Sequence, residues 1–167
     1  ARILHQLDNK LNETLRQHTE LNANGGLEIS INDGMDLAVC RYKKSRNEIV
    51  FSSAKRPLYI FKKGEWIEIK GNKFPIGGSQ HYGEKIFTEH KINMNSGDTI
   101  YMFSDGYQDQ FGGPDQKKFM VKQFRELLIE IQPLRMEEQY LALDKAIVNW
   151  QGNNEQTDDV LVIGIRF

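Results

Sequence analysis

Two short acidic segments hold the clearest chemical possibility in this chain. Asp105 lies in "YMFSDGYQDQFGG", directly after an apolar run, and Asp158 lies in "EQTDDVLVIGI", directly before another. If those runs are antiparallel neighbours in one sheet, the end of one sits beside the start of the other, and residues far apart in sequence meet at one edge. Paired carboxylates with no nearby cysteine and no His-x-x-His pattern suit hard divalent cations such as Mg²⁺ or Mn²⁺, which take oxygen ligands and keep water. A phosphoryl group is the natural substrate of such a site. Each segment also has a purely structural reading. An aspartate before glycine is a common turn, because the carboxylate accepts backbone hydrogen bonds and glycine tolerates positive φ. At the level of residues alone both readings stay open.

Other candidates fall away on spacing. Asp105, Asp109 and Asp115 do not build a calcium loop, since its sixth position, normally glycine, is Gln110 and its twelfth, normally a bidentate glutamate, is Gln116. His5, His18, His81 and His90 show no ligand spacing. There is no Gly-rich Lys-Ser/Thr loop, no Gly-x-Ser-x-Gly elbow and no interleaved basic and aromatic patch. The single cysteine, Cys40, cannot form an internal disulfide; within "MDLAVCRY" it reads as a small buried residue in a reducing compartment.

The elements that must position the acids follow from periodicity. The opening residues place Leu4, Leu7, Leu11 and Leu15 on one helical face, and "NANGG" ends that pattern with Gly25 and Gly26. From Met35 the period becomes two. "MDLAVCRY" and "NEIVFSSA" flank "KKSR", and "LYIFK" and "WIEIK" flank "KGE", which predicts antiparallel hairpins. "KIFTEHKI" alternates Ile86, Thr88, His90 and Ile92 against Phe87, Glu89 and Lys91, and "NSGD" turns into "TIYMFS", completing a run of strands. Two helices are expected next, over 116–132 and 136–150, separated by Pro133; Met120 and Phe124 face inward on the first, Tyr140 and Leu143 on the second. The continuous apolar run "VLVIGIRF" suits a strand covered on both faces. A strand-rich layer or sandwich with helices outside it is the expected architecture.

At 167 residues the chain fits one domain spanning 1–167. With 22 basic against 23 acidic residues its formal charge is −1, which gives no general electrostatic reason to bind nucleic acid or an anionic membrane. No apolar run approaches the ~20 residues of a membrane helix, and the first residues lack the apolar core of a signal peptide. A cytoplasmic location is expected, with the parent protein free to be membrane-attached.

In combination the segments go further. "DGMDLAVC", "FSSAKRPLYIFKKGEWIEIKGNKFPIGG", "GDTIYMFSDGYQDQFGG", "KKFMVKQFRELLIEI" and "EQTDDVLVIGI" occur in the order seen in SpoIIE-like serine phosphatases, a branch of the metal-dependent protein phosphatase 2C superfamily. The resemblance spans nearly the whole chain. It implies an α+β fold, a four-layer αββα sandwich of antiparallel sheets flanked by helices, with a two-metal Mn²⁺ or Mg²⁺ centre. Carried over residue by residue, the family's late metal-binding, catalytic aspartates fall on Asp105 and Asp158, with Asp159 standing where relatives often have asparagine. No cofactor other than the metal is implied.

Two departures accompany the resemblance. The family's Gly-Asp and Asp-x-x-Gly-His-Gly segments, which supply earlier metal ligands, have no counterpart before Asp105, so the expectation is a domain truncated at its N-terminus, weak in metal, with exposed sheet edges that invite pairing with a second copy. "SAKRP" replaces a Gly-His-Asn type loop; Lys55 and Arg56 there read as solvent-exposed turn charges. The resemblance implies hydrolysis of phosphoserine or phosphothreonine on a bacterial regulatory protein such as an anti-sigma-factor antagonist, under an upstream sensor domain. The rival expectation is a non-catalytic regulatory or dimerisation module on the same scaffold.

Overall fold

The computed structural model describes residues 1–15, 33–78 and 84–167. In chain order its elements are α1 (Arg2–Thr14), β1 (Gly34–Met35), β2 (Leu37–Lys43), β3 (Glu48–Ala54), β4 (Leu58–Lys62), β5 (Glu65–Ile69), β6 (Ile76–Gly77) and β7 (His90–Asn93). There follow β8 (Thr99–Phe103), α2 (Gly106–Asp109), β9 (Phe111–Gly112), β10 (Lys117–Lys118), α3 (Val121–Ile131), α4 (Met136–Gln151) and β11 (Val162–Arg166). They divide into two compact units, Ala1–Leu58 with Ile69–Met94, and Tyr59–Glu68 with Asn95–Phe167. No helix among the described residues is long and apolar enough to cross a membrane.

In the first unit the predicted hairpin forms. β2 and β3 pair antiparallel from Leu37 opposite Ala54 to Lys43 opposite Glu48, and β7 adds to the other side of β3. The connection is a short 3₁₀ turn, Lys44–Arg46, closed by Asn47 in the left-handed region at φ 47°, a conformation that asparagine tolerates well. A salt bridge of 2.8 Å between Lys43 and Glu48 fastens its base. The Lys43 hydrogen bond holds the Glu48 carboxyl below its ordinary value. Burial pushes the half-buried Cys40 thiol up, away from thiolate reactivity.

α1 departs from the leucine stripe. Leu4 is buried with Ala54, Ile76 and Phe87, but Leu7 and Leu15 are exposed, and the second inward position belongs to Asp8. Leu4 and Asp8 are one turn apart, so they share a face. Asp8 accepts from the Gly77 N–H at 2.7 Å and from Lys85 Nζ at 2.8 Å. Lys85 is thereby drawn inside and donates also to the Gly77 and Gly78 carbonyls. "KIFTEHKI" is a strand only from His90, because upstream of it the Asn72 side chain takes the Ile86 carbonyl and the Thr88 N–H; Lys85 and Phe87 are buried there and Ile86 is exposed. The turn expected at "NANGG", with Gly25 and Gly26, lies outside the described residues, as do His18 and His81.

The second unit is built on a four-stranded antiparallel sheet in the order β11–β8–β4–β5. Tyr59, Tyr101 and Phe103 from the sheet join Tyr107, Phe119, Phe124, Leu128 and Ile131 in one cluster. Phe103 meets Phe124 at 4.9 Å in an edge-to-face contact, and Tyr59 meets Phe103 at 4.7 Å. Such pairs contribute about 0.5–1.5 kcal/mol each beyond the area they bury.

Three expectations are corrected here. α3 begins at Val121 rather than near Gln116, because Lys117 and Lys118 pair with Gly112 and Phe111 as β10 and Met120 takes φ 73°. Met120 is therefore exposed. On α4, Tyr140 is also exposed, and the buried position one residue earlier is Gln139, whose amide is satisfied by the Tyr101 hydroxyl and by the carbonyls of Gln132 and Leu134. β11 lies at the end of the sheet order and shows Ile163 and Ile165 at 40% and 42% exposure, so among the described residues it is not covered on both faces.

Candidate functional site

Asp105 and Asp158 stand at one edge of the sheet in the second unit. β8 and β11 are antiparallel neighbours, with Phe103 opposite Val162. Their pairing runs one step past the ladder, where the Ser104 N–H donates to the Leu161 carbonyl at 3.0 Å. The Ser104 hydroxyl then makes two further bonds across the same gap, donating to the Asp159 carbonyl at 2.6 Å and accepting from the Leu161 N–H at 3.0 Å. A hydroxyl can do both at once.

After Ser104 the chain leaves the sheet. Asp105 adopts φ −77°, ψ −16° and leads into the single helical turn of α2, closed by a 2.9 Å bond from the Asp109 N–H to the Asp105 carbonyl. Gly106 is required by what lies beside it: a Cβ there would sit 2.3 Å from the Asp159 carbonyl oxygen and 3.2 Å from that of Asp158. Backbone touches backbone at this point. The carboxylate-bearing turn after β8 is thus pressed against the segment that carries Asp158.

Asp158 itself is exposed, and one of its carboxylate oxygens accepts from the Asp159 N–H at 2.7 Å. Its segment is held on the N-terminal side by Gln110. The Gln110 amide donates to the Glu155 carbonyl at 2.9 Å and accepts from the Thr157 N–H at 3.3 Å. Asp109 forms an ion pair with Lys118 at 3.3 Å, and the Lys118 ammonium lies 5.9 Å from the centre of the Phe111 ring. Asp109 is thereby committed to a cation of the chain.

The donor type fits a hydrated hard cation. Mg²⁺ in particular binds through one or two carboxylates, retains several waters and completes its shell with substrate phosphate oxygens. Asp158, exposed, and Asp105, half-buried, supply that donor type at one end of the sheet. Among the described residues no group of three or more His, Cys, Asp or Glu side chains is placed to hold a metal, so these residues do not make a closed cage.

A separate cavity of about 530 Å³ lies between α4 and the β8–β11 side of the sheet, lined by Tyr107, Gln139, Leu143, Asp144 and Leu161 among others. It offers little acid–base chemistry. The Tyr107 hydroxyl donates to the Leu143 carbonyl at 2.8 Å, and burial, with the Asp144 charge adding to it, pushes that phenol far above its ordinary value. In the other unit, Lys55 and Arg56 both pair with Asp36: Lys55 is exposed as expected, at 3.6 Å, whereas Arg56, at 2.7 Å and only 18% exposed, is drawn in against the carboxylate rather than solvated.

Ser104 and Gln110 were not legible as site residues. Ser104 could have been suspected from its place between a strand and an acid; Gln110 gave no signal beyond breaking the calcium-loop pattern.

The family model for stage II sporulation protein E (SpoIIE) matches residues 1–167. No curated protein matches the chain in sequence. Among solved structures, the SiaA-PP2C domain of Pseudomonas aeruginosa is similar over 100% of this chain and 60% of that one, at 25% identity and a TM-score of 0.80. The phosphatase domain of the cell fate determinant SpoIIE from Bacillus subtilis is similar over 99% of this chain and 71% of that one, at 12% identity and a TM-score of 0.58. The PPM Ser-Thr phosphatase MsPP from Mycobacterium smegmatis is similar over 97% and 70%, at 13% identity and a TM-score of 0.56. The antiparallel sheets and helices match PP2C-like phosphatase folds, and the chain spans about 60% of the length of the first of these relatives.

Proposed function

The chain belongs to the SpoIIE family, with a PP2C-like domain over its whole length, and on that premise we propose that it is a metal-dependent protein serine/threonine phosphatase domain. The observation that carries the proposal is the junction of the Asp105 and Asp158 segments by Ser104 and Gly106. In this reading Asp105 and Asp158 hold Mn²⁺ or Mg²⁺. When bound, such an ion lowers the pKa of a water enough for it to serve as nucleophile near neutral pH. Water adds to phosphorus, the ester P–O bond breaks, and the products are inorganic phosphate and the free serine or threonine hydroxyl. The aspartates hold rather than attack, and the exposed edge leaves room for a phosphorylated protein segment. The proposed substrate is a phosphorylated bacterial regulatory protein such as an anti-sigma-factor antagonist, encountered in the cytoplasm.

The test is hydrolysis of p-nitrophenyl phosphate and of a phosphoserine peptide by this chain across a Mn²⁺ series, with Asp105→Asn and Asp158→Asn beside it. Activity that requires Mn²⁺ and falls at least a hundredfold in each variant is expected, the scale on which displaced catalytic groups act. Hydrolysis indifferent to metal, or unchanged in both variants, would sink the assignment. A second reading, a non-catalytic dimerisation module, is favoured by the apolar Ile163 and Ile165 shown on β11 at the sheet edge; a metal-independent dimer without hydrolysis would select it.

A further inference from the structure

Gln110 is a polar residue with 0% exposure, placed between the turn after β8 and the approach to β11. Its backbone carbonyl is fixed from two sides, accepting from the Trp150 indole N–H at 3.0 Å and from the Phe119 N–H at 3.0 Å. Its side chain, so anchored, reaches the loop before Asp158: the amide nitrogen donates to the carbonyls of Phe111 at 3.0 Å and Glu155 at 2.9 Å, and the amide oxygen accepts from the Thr157 N–H at 3.3 Å. Glu155 and Thr157 are themselves exposed. The buried amide is thus a rigid post to which a surface loop is tied. Ser104 ties the same loop on the far side of Asp158, through the Asp159 carbonyl and the Leu161 N–H.

Asp158 is therefore bracketed on both sides by side-chain bonds to backbone. We infer that Gln110 is a positioning residue that sets where the Asp158 carboxylate stands relative to Asp105, acting through the 155–157 backbone without touching the ion or the substrate. A primary amide supplies a donor to Glu155 and an acceptor to Thr157 from one uncharged side chain, whatever the pH. The inference rests on the reading that Asp158 holds the metal. Partners bonded directly to a ligating side chain change metal affinity by 10–100-fold when removed, and a tie to the neighbouring backbone is expected at the lower end of that range.

The experiment compares Mn²⁺ binding, by electron paramagnetic resonance of free Mn²⁺, in the unaltered chain, Gln110→Met and Asp158→Asn, with amide hydrogen exchange and thermal unfolding on the same samples. Gln110→Met keeps the side-chain shape and removes all three side-chain bonds, the two to the 155–157 backbone among them. It is expected to weaken Mn²⁺ binding about tenfold and to speed exchange across 155–161, while the β8–β4 ladder keeps its protection. Mn²⁺ binding by Gln110→Met within about twofold of the unaltered chain, with binding lost in Asp158→Asn, overturns the role of Gln110 and leaves the phosphatase reading standing. Equal binding by Asp158→Asn, or none by the unaltered chain, removes the ligand reading and this inference with it. If Gln110→Met does not fold, Thr157→Pro deletes one of the same bonds from the exposed end; a several-fold loss of affinity supports the role and unchanged affinity overturns it.

Discussion

Two aspartates, Asp8 and Asp158, are handled in opposite ways. Asp8 is 6% exposed and its carboxylate is answered directly, by the Lys85 ammonium at 2.8 Å and the Gly77 N–H at 2.7 Å. Asp158 is exposed, and it is the backbone on either side of it, rather than the carboxylate, that is tied down by Gln110 and Ser104. A carboxylate that closes a structure needs a buried cation, because an ion without a partner in a low-dielectric setting is strongly disfavoured. One that serves a ligand needs the reverse: fixed position, access to solvent, and oxygen atoms not all committed to the chain. Under the proposed function, burial and partner type separate Asp8 from Asp158 where residue type does not.

The largest expected effect tests the structural half. Lys85→Met leaves Asp8 buried without its cation and is expected to lower unfolding free energy by about 3–5 kcal/mol. Asp158→Asn, at an exposed position, is expected to change it by no more than about 0.5 kcal/mol. Urea unfolding of both variants measures the gap. A Lys85→Met penalty below about 1 kcal/mol would mean that water reaches Asp8 and that the two acids are less different than their burial suggests. The double change Asp8→Leu with Lys85→Met sharpens the point, since an apolar replacement of the whole pair is expected to recover most of the loss.

An intermediate effect is expected on the functional side, where the scaffold and not the acid supplies rigidity. Gly106→Ala places a methyl group where the Asp159 carbonyl already stands, 2.3 Å away, and neither partner is a flexible side chain. Relief requires the Asp105 turn and the Asp158 segment to part, at about 1–3 kcal/mol. The loss should appear in the urea midpoint, with faster amide exchange at 104–106 and 158–161. Stability unchanged within about 0.3 kcal/mol would show that the two segments are not pressed together, which removes the geometric basis for pairing their carboxylates.

The same contrast explains what was legible in the sequence. Period-two alternation identified the β2–β3 and β4–β5 hairpins, and the placing of Asp105 after one apolar run and Asp158 before another anticipated β8 and β11 as antiparallel neighbours. These are local patterns with one consistent partner face. The errors fall where a distant partner overrides the local pattern. Lys85 is drawn inward by Asp8 on α1, which replaces the leucine stripe with Leu4 and Asp8, and the Asn72 side chain takes the backbone groups of Ile86 and Thr88, which shortens the strand read in "KIFTEHKI". Lys117 and Lys118 are recruited by Phe111 and Gly112, which delays α3. Gln110 was invisible for a related reason: its three amide bonds go to backbone atoms, and backbone atoms leave no mark in a residue pattern.

Glu138 supplies the smallest and most selective test, because it is an accessible carboxylate with a structural task. Its side chain accepts from the Arg135 N–H at 2.9 Å at the start of α4, half of a capping box, and lies 3.4 Å from the Arg135 guanidinium. The backbone bond first, and the guanidinium second, hold its carboxyl below the ordinary 4.5. A carboxyl whose value is lower in the folded chain stabilises the fold fully above its unfolded value, and that stabilisation disappears as pH falls through the folded value. Thermal unfolding of the unaltered chain and of Glu138→Gln is therefore expected to differ slightly at neutral pH and to converge on acidification below the ordinary carboxylate range. A difference that persists at acid pH would mean that Glu138 acts through packing or neutral hydrogen bonding rather than charge. Then exposure alone would not distinguish it from Asp158, whose carboxylate also accepts a backbone N–H, and the distinction would rest on the ties that Gln110 and Ser104 make to the backbone around Asp158.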